Sequence, residues 1–405
     1  MSQFKIRNMS KDFILNLMAS FITTAALQLI IYPKLKIQLD SVIYGIVLTI
    51  IGLANTFAAT IGSSLNNTRL LLNESYDDSG YKGDYLPILL ASNFISAIIL
   101  FVLLQKFEVD LMTKIILVVY MVANSTRTYG AVAYRIIINY TKNLICNILV
   151  AVGDLLGLFV LFMTNSTKTA WPICFLTGEL FAIIYIFCSS EIYAEGFKKT
   201  PFFVRTVKKD IVLMITGLTA NILLYLDRIF LLPILGGEAV TIYTVASIFG
   251  KSIGILMTPL AGVLLSYFSQ KEFRMDKKGF RVFNLVNICV AVVFMIVSHF
   301  ISGWFTGLLY PDVIADAKAY LDIANAAAIV TVLGNMTLPT VLRYAPSYWL
   351  LIIQLSYLVT YLSGGILVVG KYGLLGFSYV SVATACLKVL MQLWAGRMYV
   401  GDKKQ

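Results

Sequence analysis

Twelve apolar stretches, each long enough to cross a bilayer, fill almost all of this 405-residue sequence. A crossing takes roughly 20 predominantly apolar residues. FILNLMASFITTAALQLIIY from Phe13 and LLIIQLSYLVTYLSGGILVV from Leu350 have that length. The approximate spans are 13–33, 41–65, 86–104, 112–134, 143–163, 170–188, 211–233, 240–268, 282–303, 319–341, 347–369 and 373–396. The longest connections, 66–85 and 189–210, are too short to hold a soluble domain. Charged residues make up 13 % of the chain, against about a quarter in a soluble domain. The expected fold class is therefore all-α: a polytopic membrane protein of about 12 transmembrane helices, whose function lies in the membrane or at its two faces.

Basic residues set the expected orientation. The N-terminus, alternate loops and the C-terminus together carry 21 Lys and Arg, among them Lys82, Arg135, Lys198, Lys277 and Arg343. The opposite loops carry seven: Lys34, Lys36, Lys106, Lys114, Lys168, Lys318 and Lys371. Positive charge is retained on the cytoplasmic side, which places both termini there. The net charge of +11 reflects this asymmetry and does not point to nucleic acid. The five cysteines, Cys146, Cys174, Cys188, Cys289 and Cys386, lie in or at the ends of spans without a C-x-x-C pair. They read as small apolar fillers. Phe13–Tyr32 is long for a signal segment and reads as a retained first span.

The chain also reads as duplicated. Lys11-Asp12 opens span 1 and Lys209-Asp210 opens span 7, 198 residues later, and Asp40 and Glu238 open spans 2 and 8 at the same offset. Thr49 matches Ser247 and Gly52 matches Gly250. Six spans per half make the repeat parallel, an architecture of transporters that bind between their halves near the midplane. The expectation is two six-helix lobes, 1–200 with the basic linker and 201–405.

Charges at membrane depth are expensive and face the bundle interior. Lys251 lies near the centre of span 8, on a stripe with Thr244, Ser247, Gly254, Thr258 and Gly262, and Pro259 is expected to kink that span. Arg127 lies just past the middle of span 4, on a stripe with Tyr120, Asn124, Ala131 and Tyr134. Arg228, beside Asp227, falls near the outer end of span 7. Lys388 falls near the inner end of span 12, where both long side chains can snorkel. Asp154 and Glu179 are mid-span acids, and Asn16, Ser20, Thr24 and Gln28 share a face of span 1. Arg127 reads either as a substrate group or as structural glue paired with Asp154 or Glu179. Lys251, with no acid at equal depth in its half, reads as a substrate group. Enzymatic chemistry finds no support: the lone His299 is interfacial, no Cys/His cluster suggests a metal, and no G-x-x-x-x-G-K-[ST] loop offers ATP binding.

The stretches LLYLDRIFLLPILGGEAVTIYTVASIFGKS, KYGLLGFSYVSVATACLKVLMQL and AYRIIINYTKNLICNILVAVGDLLGLFVLF, with Ala239, Tyr243 and Ala246 as an A-x-x-x-Y-x-x-A step, resemble the polysaccharide flippases of the multidrug/oligosaccharidyl-lipid/polysaccharide (MOP) exporter superfamily. Thr241 departs from the glycine often found two residues before that tyrosine. The resemblance implies a MATE-like fold of two lobes around a cavity that opens alternately to each side of a bacterial inner membrane. It implies a polyprenyl-pyrophosphate-linked oligosaccharide as substrate, with the polymerase and glycosyltransferases of one pathway and membrane lipids as partners. On that basis Arg127, Lys251, Arg228, Asn124 and Ser247 are the expected pyrophosphate-contacting residues. Asp154, Glu179 and Asp227 are the expected sites for a coupling Na+ or H+, and no other cofactor is expected. Two alternatives stand beside it. One is a MATE-type cation-coupled antiporter for small molecules, which would want acids and few cations in its cavity. The other is a membrane-embedded polymerase or acyltransferase, which would want a long external loop.

Overall fold

The computed structural model describes residues 14–400, apart from 16, 20, 167–169, 198 and 269–273, and apart from the side chains of 256, 258, 259, 262, 263, 266, 267 and 347. Lipid offers the backbone no hydrogen-bond partners, so a spanning chain must satisfy its own amides. The described residues accordingly form helices and no strand. They are α1 (Leu17–Gln38), α2 (Ser41–Ser79), α3 (Tyr85–Leu104), α4 (Leu111–Ile136), α5 (Tyr140–Met163), α6 (Pro172–Ser189), α7 (Phe203–Leu224), α8 (Leu226–Ala246), α9 (Ile248–Phe268), α10 (Lys277–Leu309), α11 (Ile314–Tyr344) and α12 (Ser347–Tyr399).

Two of these helices are really hairpins. Gly236 (φ 82°) interrupts α8, and Gly373 (φ 56°) interrupts α12, in a region of backbone space that glycine enters without steric cost. Phe230 and Tyr243, on either side of Gly236, both pack on Phe377, with centroids 5.8 Å and 4.8 Å away. The chain therefore doubles back there. Across Gly373, Trp349 packs edge-on against Trp394 at 5.0 Å and its indole N–H donates to the Tyr399 hydroxyl at 3.2 Å. Among the described residues ten helices are long and apolar enough to cross a bilayer, and α8 and α12, which reverse, are two of them.

The surface is inside-out relative to a soluble protein. Leu90, Phe94, Ile98 and Val102 form an exposed row along α3, and Phe300, Trp304 and Leu308 form one along α10, at the four-residue step of a helix face. Such rows are lipid-facing.

By packing, the chain separates into two compact units: residues 1–40 with 46–229, and residues 41–45 with 230–405. In the first, α5 and α6 form the most extensive pair, and α4 packs on α6. Residues 201–229 belong to this unit. Thr68 Oγ1 donates to Asp210 Oδ1 at 3.3 Å, the Tyr76 and Thr206 hydroxyls meet at 2.6 Å, and Asn221 Nδ2 donates to Thr60 Oγ1 at 3.1 Å. The line at 200/201 follows the sequence repeat, whereas the line drawn by contacts falls at 229/230. In the second unit α11 packs against both α9 and α12. Residues 41–45 join it through a backbone crossing. A Cβ placed on Gly45 would lie 1.8 Å from the Gly237 carbonyl oxygen, so only glycine permits that approach. Thr241 Oγ1 donates to the Ser41 carbonyl at 2.6 Å beside it.

Candidate functional site

The first unit carries an acid-rich cluster on α4, α5 and α6. Arg127 pairs through Nε with Glu179, and its Nη2 reaches Glu179 Oε1 and Asn124 Oδ1, each at 3.4 Å. Glu179 is one of the two acids expected as a partner for Arg127. Asn124 is held in turn by its neighbours. Its Nδ2 donates to Asn55 Oδ1 at 3.2 Å and to the Tyr120 hydroxyl at 3.1 Å, and its Oδ1 accepts from Thr128 Oγ1 at 3.2 Å. The Tyr120 hydroxyl donates to Asn55 Oδ1 at 2.7 Å. Asn55, on α2, was not among the sequence candidates. Its signal was a lone amide on an otherwise apolar stretch.

Asp154 lies on α5 behind this pair and is 2 % exposed, with an Oδ1 that meets no donor. It fits against Gly178 on α6, one residue before Glu179. An unsatisfied buried carboxylate oxygen is costly, and a proton or cation there would relieve the cost. Asp227 accepts from the backbone N–H of Arg228 at 2.9 Å. Arg228 Nη1 donates to the Leu48 carbonyl at 3.3 Å, with its guanidinium 5.8 Å from the Tyr225 ring. The polar face of α1 begins at Asn16 and Ser20, which lie outside the described residues. Further along it, the Gln28 Oε1 meets no donor. No group of three or more His, Cys, Asp or Glu is placed to hold a metal among the described residues.

At one end of this unit residues 190–197 and 199–202 are stapled down. Arg69 makes a two-armed pair with Glu195, donates to the Tyr129 hydroxyl at 3.0 Å and lies 4.7 Å over the Tyr85 ring. Asp84 accepts from the Tyr76 hydroxyl at 2.7 Å and from the Thr200 amide at 2.8 Å. Tyr193 donates to the Thr126 carbonyl at 2.9 Å, and burial pushes its hydroxyl pKa up. A cavity of about 310 Å³ beside these contacts is lined by Lys82, Tyr134, Ser189, Glu191 and Glu195 and by none of the candidate residues.

The second unit holds Lys251 on α9, with its ammonium 5.8 Å from the centre of the Tyr243 ring. A cation over an aromatic face gains about 0.5–2 kcal/mol. Ser247 Oγ donates to the Thr244 carbonyl at 3.1 Å, and Thr244 Oγ1 is buried without a partner. The helical path breaks at Ser247. The Gly250 N–H, which in an unbroken helix would donate to Ala246, donates instead to Asn325 Oδ1 of α11 at 2.7 Å. This break stands one turn before Lys251. The side chains of Thr258, Pro259 and Gly262, expected to extend the stripe and kink the span, lie outside the described residues.

Lys388 differs from its expected place. It stands eleven residues before the end of α12 at Tyr399, roughly 17 Å of helix rise. Its ammonium lies 5.4 Å over the Tyr357 ring, not at a helix end. His299 is 64 % exposed and contacts Asp322 at 3.1 Å.

No protein-family model matches the chain, and no curated protein matches it in sequence. Solved structures do match its fold. An outward-facing multidrug resistance MATE family transporter of the MOP superfamily aligns with a TM-score of 0.62 at 12 % identity, over 96 % of this chain and 95 % of that one. An inward-facing form of a MATE family transporter of the MOP superfamily aligns with a TM-score of 0.61 at 12 % identity, over 95 % and 94 %. A MOP superfamily transporter from Pyrococcus furiosus, described as having a binding pocket of reversed polarity that suggests a different function, aligns at 0.56 and 11 % identity, over 96 % and 95 %. The chain therefore has the MATE-like fold.

Proposed function

We propose that this chain is a membrane transporter of the MOP type, working by alternating access, coupled to a cation and carrying an anionic lipid-linked oligosaccharide. The fold likeness, spread over nearly the whole chain, supports a transporter over an enzyme. The observation that carries the cargo class is how charge at membrane depth is sorted. The first unit holds Asp154, Glu179 and Arg127 there, an excess of acid. The second unit holds Lys251 and Lys388. Of its described acids, Glu238 stands two residues past the break at Gly236, Asp276, Asp312 and Asp316 stand at helix ends or in loops, and Asp322 stands in the first turn after the 3-10 segment Lys318–Tyr320 of α11. A diphosphate crossing a low-dielectric core needs cations along its way, and a cationic drug would be repelled by the same lysines. The reversed-polarity relative supports the idea that this fold accommodates such a change. Asp154 is the residue best disposed to take up the coupling proton. The inner-membrane location and the biosynthetic partners belong to this same reading.

A second reading has its own support. The structural neighbours named as multidrug transporters, together with Asp154, favour a MATE-type cation-coupled antiporter, and the fold likeness backs that reading more broadly than it does a flippase. Both share the mechanism and differ in the sign of the cargo. Proteoliposomes loaded with either a fluorescent farnesyl diphosphate or ethidium, under an imposed pH gradient, separate them. Transport of the diphosphate, lost in Lys251→Glu at unchanged protein level, is the expected outcome. Ethidium efflux with no diphosphate movement would establish the multidrug reading instead.

A further inference from the structure

We propose that Lys388 is a second anion-contacting residue and forms with Lys251 a two-lysine site built around one aromatic column inside the second unit. The inference deepens the anionic-cargo reading and rests on it. Lys251 stands fifteen residues past Gly236, and Lys388 fifteen past Gly373. Phe377 packs on residues close to both turns, which brings the turns level to within about a helical turn. The two lysines thus enter from parallel helical segments at matched register. Between them runs a continuous column of rings. Tyr243 packs on Phe377 at 4.8 Å, Phe377 on Tyr361 at 5.6 Å and Tyr361 on Tyr357 at 5.7 Å, with Lys251 over the first ring and Lys388 over the last.

Lys388 does not face lipid. Phe377, Ser381, Thr384, Lys388 and Gln392 fall at three- and four-residue steps on one face of α12, and all but the lysine are buried. Apart from the ring of Tyr357, Lys388 has no hydrogen bond or ion pair with any described residue. One turn further on, Gln392 is fully buried with neither amide atom partnered. A half-buried ammonium held by a ring face, beside an amide with donors to spare, is what an incoming anion would complete. A diphosphate carries more negative charge than a monophosphate and gains more from each lysine it meets along the column.

The test uses the purified full-length protein in nanodiscs of zwitterionic lipid, titrated with farnesyl diphosphate, farnesyl monophosphate and farnesol. The wild type should bind the diphosphate best. Lys388→Gln should weaken it about tenfold, the worth of one charge-assisted hydrogen bond, while leaving farnesol binding unchanged. Lys388→Arg should retain diphosphate binding, and the exposed His299→Gln should change nothing. Diphosphate binding that survives in Lys388→Gln but is lost in Lys251→Gln would overturn the role of Lys388 and leave the cargo reading intact. A wild type that binds diphosphate no better than farnesol would overturn both. If Lys388→Gln does not fold, the preference of Lys388→Glu for farnesol over diphosphate decides instead, and an unchanged preference there refutes the proposal.

Discussion

Arg127 and Glu179 show how a single residue's role depends on what folds against it. On the sequence alone Arg127 is a lone cation in an apolar span. In the folded chain it is one half of a buried pair tied to Asn124, whose amide is itself tied to Asn55 and Tyr120. Removing one member of such a pair leaves an uncompensated charge and costs roughly 3–5 kcal/mol. Arg127→Ala is therefore expected to deplete folded protein from the membrane, and the double variant Arg127→Ala/Glu179→Ala to recover much of it. Fluorescence-detected gel filtration of each variant measures this. A stable Arg127→Ala that has lost only transport would return Arg127 to the substrate path. Asp154, by contrast, was legible from position alone: an acid in mid-span is costly wherever its neighbours lie. Its unpartnered oxygen was not legible, because that depends on α6 presenting glycine at Gly178.

Among the elements, the helices themselves were largely written in the hydropathy pattern, since length and apolarity determine what crosses a bilayer. The breaks were not. The expected kink at Pro259 concerned a residue with a known local effect, whereas the break at Ser247 depends on Asn325 arriving from another helix to take the Gly250 N–H. The crossing of Gly45 and Gly237 has the same character: both glycines are visible in the sequence, and only their meeting makes them indispensable. With a Gly45 Cβ 1.8 Å from a carbonyl oxygen, and a Gly237 Cβ 2.2 Å from that of Val42, backbone would have to separate. Gly45→Val should lower the melting temperature by at least several degrees, in line with the ~1–3 kcal/mol typical of overpacking. Gly217→Ala, which meets open space, should cost far less. Equal melting temperatures would show that the crossing is loose.

For the whole molecule, orientation is the property every functional statement leans on. It rests on 21 Lys and Arg against seven. Cysteines placed singly at Glu108 and Asp312, in a background free of the five native thiols, should react with an impermeant maleimide added to intact cells. Cysteines at Lys82 and Lys277 should not. All four positions are exposed, so access is decided by the membrane alone. Lys36, on the expected outer side, is a poor probe because it is 6 % exposed and its ammonium donates to the Leu39 carbonyl at 3.2 Å. The reverse labelling pattern would invert the proposed direction of transport.

The sequence by itself determined that this chain is a helical membrane protein with about twelve crossings and that Arg127, Asp154, Glu179 and Lys251 fall within its apolar spans. These are local quantities: apolar length and the cost of a charge within it need no knowledge of neighbours. Only the tertiary structure decided which of those charges are spent on one another. Arg127 found Glu179, 52 residues away, while Lys251 and Lys388 came to rest over tyrosines that a one-dimensional reading had no reason to align. Pairing across helices depends on rotation and register, which in lipid are set by close packing and small residues rather than by hydrophobicity, and a hydropathy pattern does not encode them.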